Sequence, residues 1–180
     1  AGPKAGFKKR GLRGVKLFQP IMIGGMELKN RIVMPAMHLG YCKGGYINDR
    51  IINFYRERAA GGVGLIMVGG CSINPYPAYW GMVEIGYESS VFSKRQPIAP
   101  SAVPSKMTRE TPREMTLDDI SGVISDFASA ARRAREAGYD LVEVIASAGY
   151  LISQFFSPVT NLRTDQYGGS FENRSRFGEE

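Results

Sequence analysis

Residues 139–177 decide the fold, and their sequence is YDLVEVIASAGYLISQFFSPVTNLRTDQYGGSFENRSRF. The first part, residues 140–144, is apolar and partly β-branched, which predicts a buried strand of a parallel sheet. A long polar loop follows Gly149 and carries a tyrosine, Tyr150, at its start. Because active sites of such folds lie where parallel strands end, the pattern predicts a functional site at Tyr150.

A strand, a helix and a second strand are predicted earlier in the chain. Residues 30–37 and 63–68 are apolar runs of strand length. Between them, Asn48 or Asp49 can cap a helix that ends at Gly61 and Gly62. The order of elements is typical of a helix that crosses over between two parallel strands.

A second helix is predicted to begin at Thr116, which forms a capping-box pattern with Asp119. Gly138 stands where a left-handed C-terminal cap is expected. The helix has one apolar stripe, formed by Ile120, Val123, Ile124, Phe127, Ala131 and Ala134. The repeated strand and helix order predicts an α/β fold in which helices cover a parallel sheet.

Composition and charge limit the classes of function. The chain has 180 residues, of which 43% are hydrophobic, so it can form one sizeable core. Its net charge of +6 is carried by the basic residues of a segment, 1–16, that we expect to be a flexible arm. Residues 17–180 are balanced in charge, and no apolar run approaches the roughly 20 residues of a bilayer span. We therefore expect a cytoplasmic protein without a leader peptide, a nucleic-acid partner or a membrane partner.

The metal-binding residue types are few. Cys42, Cys71 and the single histidine, His38, do not have the spacing of a four-ligand zinc site. We expect no metal and two reduced thiols rather than a disulfide.

Several motifs resemble the old yellow enzyme family of FMN-dependent ene reductases, most closely its 2,4-dienoyl-CoA reductase-like branch. The motifs after the predicted strand are Gly149-Tyr150-Leu151, Ser157-Pro158, Thr160-Asn161, Arg163, Asp165, Tyr167-Gly168-Gly169-Ser170 and Glu172-Asn173-Arg174. Those near the start are Leu28-Lys29-Asn30-Arg31 and Glu57-Arg58-Ala59. Their number and order make chance similarity a poor explanation.

The resemblance implies a partial (β/α)8 TIM barrel made of the first strands and helices of an FMN-binding barrel. Residues 17–180 are then one incomplete domain, because a whole barrel takes about 250 residues. A helix and the third strand have no counterpart before residue 97, where only a short segment is available. We expect them to be deleted, disordered and omitted, or replaced.

The resemblance also implies a cofactor site. It places Pro35, Ala36, Met37 and His38 along the flavin and lets the backbone at Gly70 approach the ring closely. His38 is expected to contact the cofactor rather than to transfer protons. The alternative is that Met37 belongs to the core and Pro35 only ends a strand.

Tyr150 matches the tyrosine with which the family donates a proton to the substrate. A tyrosine in this position can also be a packing anchor with a hydrated hydroxyl. Many members hold the substrate carbonyl with two side chains just before this tyrosine, where this chain has Ile145 and Ala148. Neither side chain donates a hydrogen bond, so a substrate class other than simple enones is expected.

The implied function is an NAD(P)H-dependent FMN oxidoreductase that reduces an activated C=C bond of a small molecule, such as an enoyl or dienoyl thioester. By the same resemblance, an iron–sulfur cluster and FAD would be possible only in a longer parent chain. The alternative is a non-catalytic barrel fragment that acts as an interaction element. Exposed strand edges of such a fragment favour association, so a homo-oligomer is possible.

Overall fold

The computed structural model describes residues 14–41, 46–70, 73, 96–105, 109–147 and 149–180. The chain divides into two compact units. The N-terminal unit comprises residues 1–43 and 47–70, and the C-terminal unit comprises residues 44–46 and 71–180. Some sequence predictions lie outside the described residues, namely those on most of the basic arm, on Cys42 and Cys71, on the segment before residue 96 and on Ala148.

The N-terminal unit begins with a short antiparallel hairpin. A 3-10 turn, Lys16–Phe18, leads into β1, Ile21–Ile23, which pairs with β2, Met26–Leu28. Gly24 has a φ of +57°, and this left-handed conformation suits the two-residue turn between the strands. Leu28 is buried, so the hairpin presents one apolar anchor to this unit.

A parallel strand pair forms the centre of the N-terminal unit. It joins β3, Val33–Met34, to β4, Leu65–Ile66. The predicted strands 30–37 and 63–68 are confirmed in their central residues, but both are much shorter than predicted. Met67 N–H donates to the Met34 carbonyl at 2.9 Å, which holds the two strands together where they end.

Helix α1, Asp49–Ala60, crosses over between these strands, as predicted. Asn48 is its N-cap and accepts hydrogen bonds from the backbone N–H groups of Arg50 and Ile51. Gly61 is the C-cap, and Gly62 has a φ of +93°. The capping residues read from the sequence are therefore confirmed.

The C-terminal unit contains a second parallel pair and a long helix. β5, Ile98–Ala99, pairs with β6, Arg113–Glu114, and α2, Leu117–Glu136, follows. The capping box of Thr116 and Asp119 is present, and Gly138 after the helix has a φ of +87°. Both features were predicted, whereas the β5–β6 pair was not.

Asp119 has a second partner besides the helix terminus. The Arg113 guanidinium donates to both oxygens of the Asp119 carboxylate, at 2.7 and 3.0 Å. This hydrogen bond and those from Thr116 hold the pKa of the Asp119 carboxyl well below its usual range. The start of α2 is thereby tied to β6.

Two further helices complete the C-terminal unit. α3, Leu151–Phe156, packs against α4, Phe171–Glu179. Phe155 stacks on Phe177 with ring centroids 4.2 Å apart and meets Tyr167 edge to face at 6.3 Å. The hydrophobic core of the unit consists of Ile98, Met115, Ile120, Val123, Ile152, Phe155, Tyr167 and Phe177. Ile120 and Val123 come from the predicted stripe.

The predicted buried strand at residues 140–144 is wrong. This segment has no strand structure, and its apolar side chains are exposed, with Leu141 at 61%, Val142 at 51% and Val144 at 51%. A strand exists only where a neighbour completes its hydrogen-bond ladder. Among the residues that the structure describes, none pairs with this segment as a strand.

No helix in the described part of the chain is both long and apolar enough to cross a bilayer.

Candidate active site

The N-terminal unit places its predicted site residues at one edge. β3 runs directly into residues 35–38, and β4 runs on towards Gly70. Because β3 and β4 are parallel, their C-terminal ends lie at the same edge of the pair. The end of β3 is followed by Pro35, Ala36, Met37 and His38, and the end of β4 is followed by Gly70. The structure therefore brings these positions to the same end of the strand pair.

The residues after β3 are open. Pro35, Ala36, Met37 and His38 are exposed, whereas Met34 is 8% exposed and belongs to the core. Met37 is 41% exposed, so the alternative that it is a core residue is not supported. Within the described ranges, no hydrogen bond engages the backbone of residues 36–38.

The end of β4 is held by helix α1. Gly69 N–H donates to the Tyr55 hydroxyl at 3.0 Å, and Gly69 is buried. Tyr55 also packs edge to face against Phe54, with centroids 5.4 Å apart. The hydrogen bond from Gly69 to the Tyr55 hydroxyl fixes the backbone immediately before Gly70.

Tyr150 lies in the C-terminal unit, at the start of α3. It is the N-cap of that helix and is half-buried. Gly149 before it has a φ of +81°, a conformation that favours glycine, and Tyr150 N–H donates to the Ser147 carbonyl at 3.1 Å. The tyrosine therefore leaves a tight turn rather than the end of a regular strand.

Two side chains of α3 reach back to this turn. The Ser153 hydroxyl lies 2.8 Å from the Tyr150 carbonyl, to which it donates, and 3.3 Å from that of Ser147. Gln154 Nε2 donates to the Gly149 carbonyl at 2.7 Å. Sequence reasoning missed both residues, although they stand three and four positions after Tyr150, the spacing that brings helix residues back to the first turn.

The loop between α3 and α4 is cross-linked by a buried arginine. Arg163 is 8% exposed and donates to the carbonyls of Pro100 at 3.0 Å and Met115 at 2.5 Å. Its guanidinium also binds Asp165 and holds the pKa of that carboxyl below its usual range. The predicted scaffold role of this charge pair is confirmed.

Asn161 and Arg174 complete the scaffold. Asn161 Nδ2 donates to the carbonyls of Phe155 at 2.8 Å and Tyr167 at 2.7 Å. Arg174 Nε donates to the Phe156 carbonyl at 2.8 Å, and its Nη1 donates to that of Gly169. The end of α3, the loop and α4 are thus joined through backbone carbonyls.

The predicted cofactor residues and Tyr150 belong to different units, and their convergence on one ligand stays a prediction. Ile145, one of the two positions at which the resemblance led us to expect a carbonyl-holding side chain, is half-buried. Within the described residues, no three His, Cys, Asp or Glu side chains gather as a metal site would.

The sequence profile of one protein family matches residues 16–83 and 83–180. Its description is NADH:flavin oxidoreductase / NADH oxidase family. The chain belongs to this family. The match is divided at residue 83, inside the segment from which a helix and a strand were expected to be missing.

Relatives with curated names support this assignment. A metal reductase of Desulforamulus reducens is 44% identical over 90% of this chain and 29% of its own length. An NADPH dehydrogenase of Bacillus subtilis is 37% identical over 90% of this chain and 57% of its own. The chain thus spans less than a third of the length of the metal reductase and somewhat over half of the length of the NADPH dehydrogenase.

Solved structures of the family show the same fold. The old yellow enzyme of Pichia sp. AKU4542 has a TM-score of 0.79 and 27% identity, covering 93% of this chain and 55% of that one. A 2-naphthoyl-CoA reductase has a TM-score of 0.75 and 30% identity, covering 90% and 32%. The old yellow enzyme resemblance and the partial (β/α)8 barrel are confirmed.

The residues at the end of β3 fit one side of a flavin. An isoalloxazine ring needs an apolar surface and backbone groups that can bond to its polar edge. Exposed Pro35 and Met37 supply the apolar surface, and the backbone of residues 36–38 supplies donors and acceptors. Family membership indicates FMN as the cofactor, and the exposed strand end is open to such a ring.

Proposed function

We propose that the protein is an NAD(P)H-dependent FMN oxidoreductase that reduces an activated C=C bond, with Tyr150 as the proton donor. The observation that carries the proposal is the placement of Tyr150. It begins α3 on a turn held by Ser147, Ser153 and Gln154, next to a loop that Arg163 cross-links. This arrangement suits a group that must meet its substrate in one orientation.

The cofactor is held, in this proposal, by the strand ends of the N-terminal unit. Pro35 and Met37 would offer apolar surface to the ring, the backbone of Ala36 and His38 would bond to its polar edge, and Gly70 would allow the backbone to approach closely. The chemistry that bound FMN would supply is transfer of a hydride from NAD(P)H to the β-carbon of the substrate.

Tyr150 supplies the other hydrogen. A phenol is a weak acid, so it keeps its proton until negative charge develops on the α-carbon. The phenol O–H bond then breaks as the α-carbon to hydrogen bond forms, and the phenolate regains its proton from water. The sum is one hydride and one proton added across the C=C bond.

The side chain at Ile145 disfavours a simple enone that is held through its carbonyl oxygen. An apolar residue there cannot donate to a carbonyl oxygen that gains charge, and each lost donor of this kind costs about 10²-fold in rate. An enone held only by such donors is therefore a poor substrate. The likeness to a 2-naphthoyl-CoA reductase, whose structure contains 2-naphthoyl-CoA, supports an aromatic or unsaturated CoA thioester.

A variant, Tyr150→Phe, tests the role of the phenol. Stopped-flow absorbance measures the reduction of bound FMN by NADH or NADPH and, separately, the oxidation of reduced FMN by an unsaturated CoA thioester. The proposal predicts an unchanged first rate and a second rate lowered by about 10²- to 10⁴-fold. An unchanged second rate would refute the proton-donor role.

A second candidate function is electron transfer from FMN to a metal ion. The 44% identity to a metal reductase favours it. Reduction of a metal ion puts no proton on carbon, so Tyr150→Phe leaves that activity at the wild-type rate. Protein that takes up no FMN supports instead the non-catalytic barrel fragment.

A further inference from the structure

Gln154 combines deep burial with an incomplete set of hydrogen bonds. The residue is 2% exposed, and its Nε2 donates to the Gly149 carbonyl at 2.7 Å. Its side-chain oxygen, Oε1, is buried and is the one such side-chain atom without a hydrogen-bond partner among the described residues. A leucine or methionine would fill the same space without burying an unpaired acceptor.

The cost of this arrangement indicates what the amide contributes. A buried acceptor without a partner destabilises a fold by about 1–3 kcal/mol, and one neutral hydrogen bond returns only about 1 kcal/mol. Gln154 therefore adds little to the stability of α3. What its amide contributes is a bond to the carbonyl of Gly149.

That carbonyl belongs to the peptide group between Gly149 and Tyr150. Gly149 is in the left-handed region, where glycine has wide conformational freedom. The N–H of the same peptide donates to the Ser147 carbonyl at 3.1 Å, and Gln154 holds its carbonyl. Without the Gln154 bond, rotation of this peptide changes the direction in which the Tyr150 side chain leaves the backbone. Ser153 restrains the carbonyl on the other side of Tyr150, at 2.8 Å.

We propose that Gln154 is a positioning residue that orients the Tyr150 phenol through the Gly149 carbonyl. The proposal deepens the proposed function and rests on it for the catalytic consequence. Gln154 does not meet the substrate. Gln154 limits the range of orientations that the phenol can adopt. Loss of Gln154 therefore slows proton transfer to carbon and leaves hydride transfer from NAD(P)H to FMN unchanged.

The test variant is Gln154→Met, which keeps the volume and removes both the donor and the unpaired acceptor. Gln19→Met, at an exposed glutamine of the N-terminal unit, is the matched control. The melting temperature is expected to stay equal or to rise, because the unpaired acceptor is gone. A melting temperature lowered by many degrees would show that the amide is structural and would overturn the proposal.

The orientation of the Tyr150 ring can be measured by NMR, without catalytic turnover. In protein with 13C-labelled tyrosine rings, the Tyr150 signals are those that disappear in Tyr150→Phe. The proposal predicts that Gln154→Met shifts or broadens these signals, whereas Gln19→Met leaves them unchanged. Unaltered Tyr150 signals in Gln154→Met would overturn the proposal even if Tyr150 is the proton donor.

A double-substitution cycle ties the positioning to the chemistry. Gln154→Met is expected to lower the rate of substrate reduction by about ten- to a hundredfold in the wild type and to have no further effect in Tyr150→Phe. Equal losses in both backgrounds would contradict a role through Tyr150. If Tyr150→Phe alone has no effect, the proposed function fails, and the ring signals still decide whether Gln154 orients Tyr150.

Discussion

The strand ends of the N-terminal unit and the loop of the C-terminal unit hold their candidate site residues in opposite ways. Residues 35–38 are exposed and have few internal bonds, whereas Tyr150 stands on a turn and a loop that are bonded at many carbonyls. A surface that a cofactor will cover can stay open until the cofactor binds. In the proposed function, the bonds of the turn and the loop orient Tyr150.

The largest predicted effect concerns the loop. Arg163→Met removes the bonds to the carbonyls of Pro100 and Met115 and leaves Asp165 without its partner. Because these two carbonyls lose their donor among buried residues, the free energy of unfolding is expected to fall by about 2–6 kcal/mol. Urea denaturation measures the change. The control is Arg132→Met, whose ion pair with Glu136 is on the surface, and it is expected to change stability by less than about 0.5 kcal/mol.

An intermediate effect is expected where two backbones approach closely, and both regions contain such a glycine. A Cβ at Gly168 would lie 2.1 Å from the Arg163 carbonyl oxygen, and one at Gly64 would lie 2.4 Å from that of Asn30. Alanine at either position is expected to destabilise by about 1–3 kcal/mol, because backbone must move. Gly122→Ala in α2 meets nothing within 4 Å and is expected to stabilise by about 0.5–1 kcal/mol. Similar melting temperatures for all three variants would contradict the close approaches.

A smaller effect is expected at the start of α2, and it depends on pH. The folded state lowers the pKa of Asp119, so its contribution to stability is complete above the unfolded pKa of about 3.9 and is lost as the pH falls below it. Asp119→Asn removes this contribution and is expected to cost about 1 kcal/mol at neutral pH. The free energy of unfolding, measured by denaturation from about pH 6 to pH 2, should fall less steeply with falling pH in the variant than in the wild type, so the acid limb of its pH curve is flatter. An unchanged limb would mean that Arg113 and Thr116 do not stabilise the carboxylate.

The smallest effect on stability is expected at the open strand end. Met37→Ala removes an exposed side chain, so the free energy of unfolding should change by less than about 0.5 kcal/mol. The same change removes apolar surface from the flavin, and the Kd for FMN is expected to rise about tenfold. Val159→Ala, at another exposed apolar residue, should leave the Kd unchanged. Equal affinities for both variants would place the flavin elsewhere.

Local signals account for what could be predicted from the sequence. Asn48, Thr116 and Gly138 act on their own helix termini, so their residue types are enough to recognise a cap. The motif Arg163 to Asp165 was also recognisable, since the two side chains bond to each other across one residue.

What could not be predicted depends on distant partners. Residues 140–144 have the composition of a buried strand, but a ladder needs a neighbour that composition does not specify. Strands β5 and β6 have two residues each, and their pairing is a contact between separate segments. The bonds of Arg163 to Pro100 and Met115 join residues 63 and 48 positions apart. Gln154 needed the geometry of the turn before its role could be recognised.

We propose that the strand ends at residues 35–38 and Gly70 hold the cofactor. A titration of the purified protein with FMN tests this most directly. Binding is followed by the absorbance band near 450 nm, about where oxidised flavins absorb. We expect a yellow protein that binds one FMN per chain and a Gly70→Val variant that folds but binds FMN at least about tenfold more weakly. A colourless wild-type protein that takes up no FMN, or a Gly70→Val variant with unchanged affinity, would contradict it.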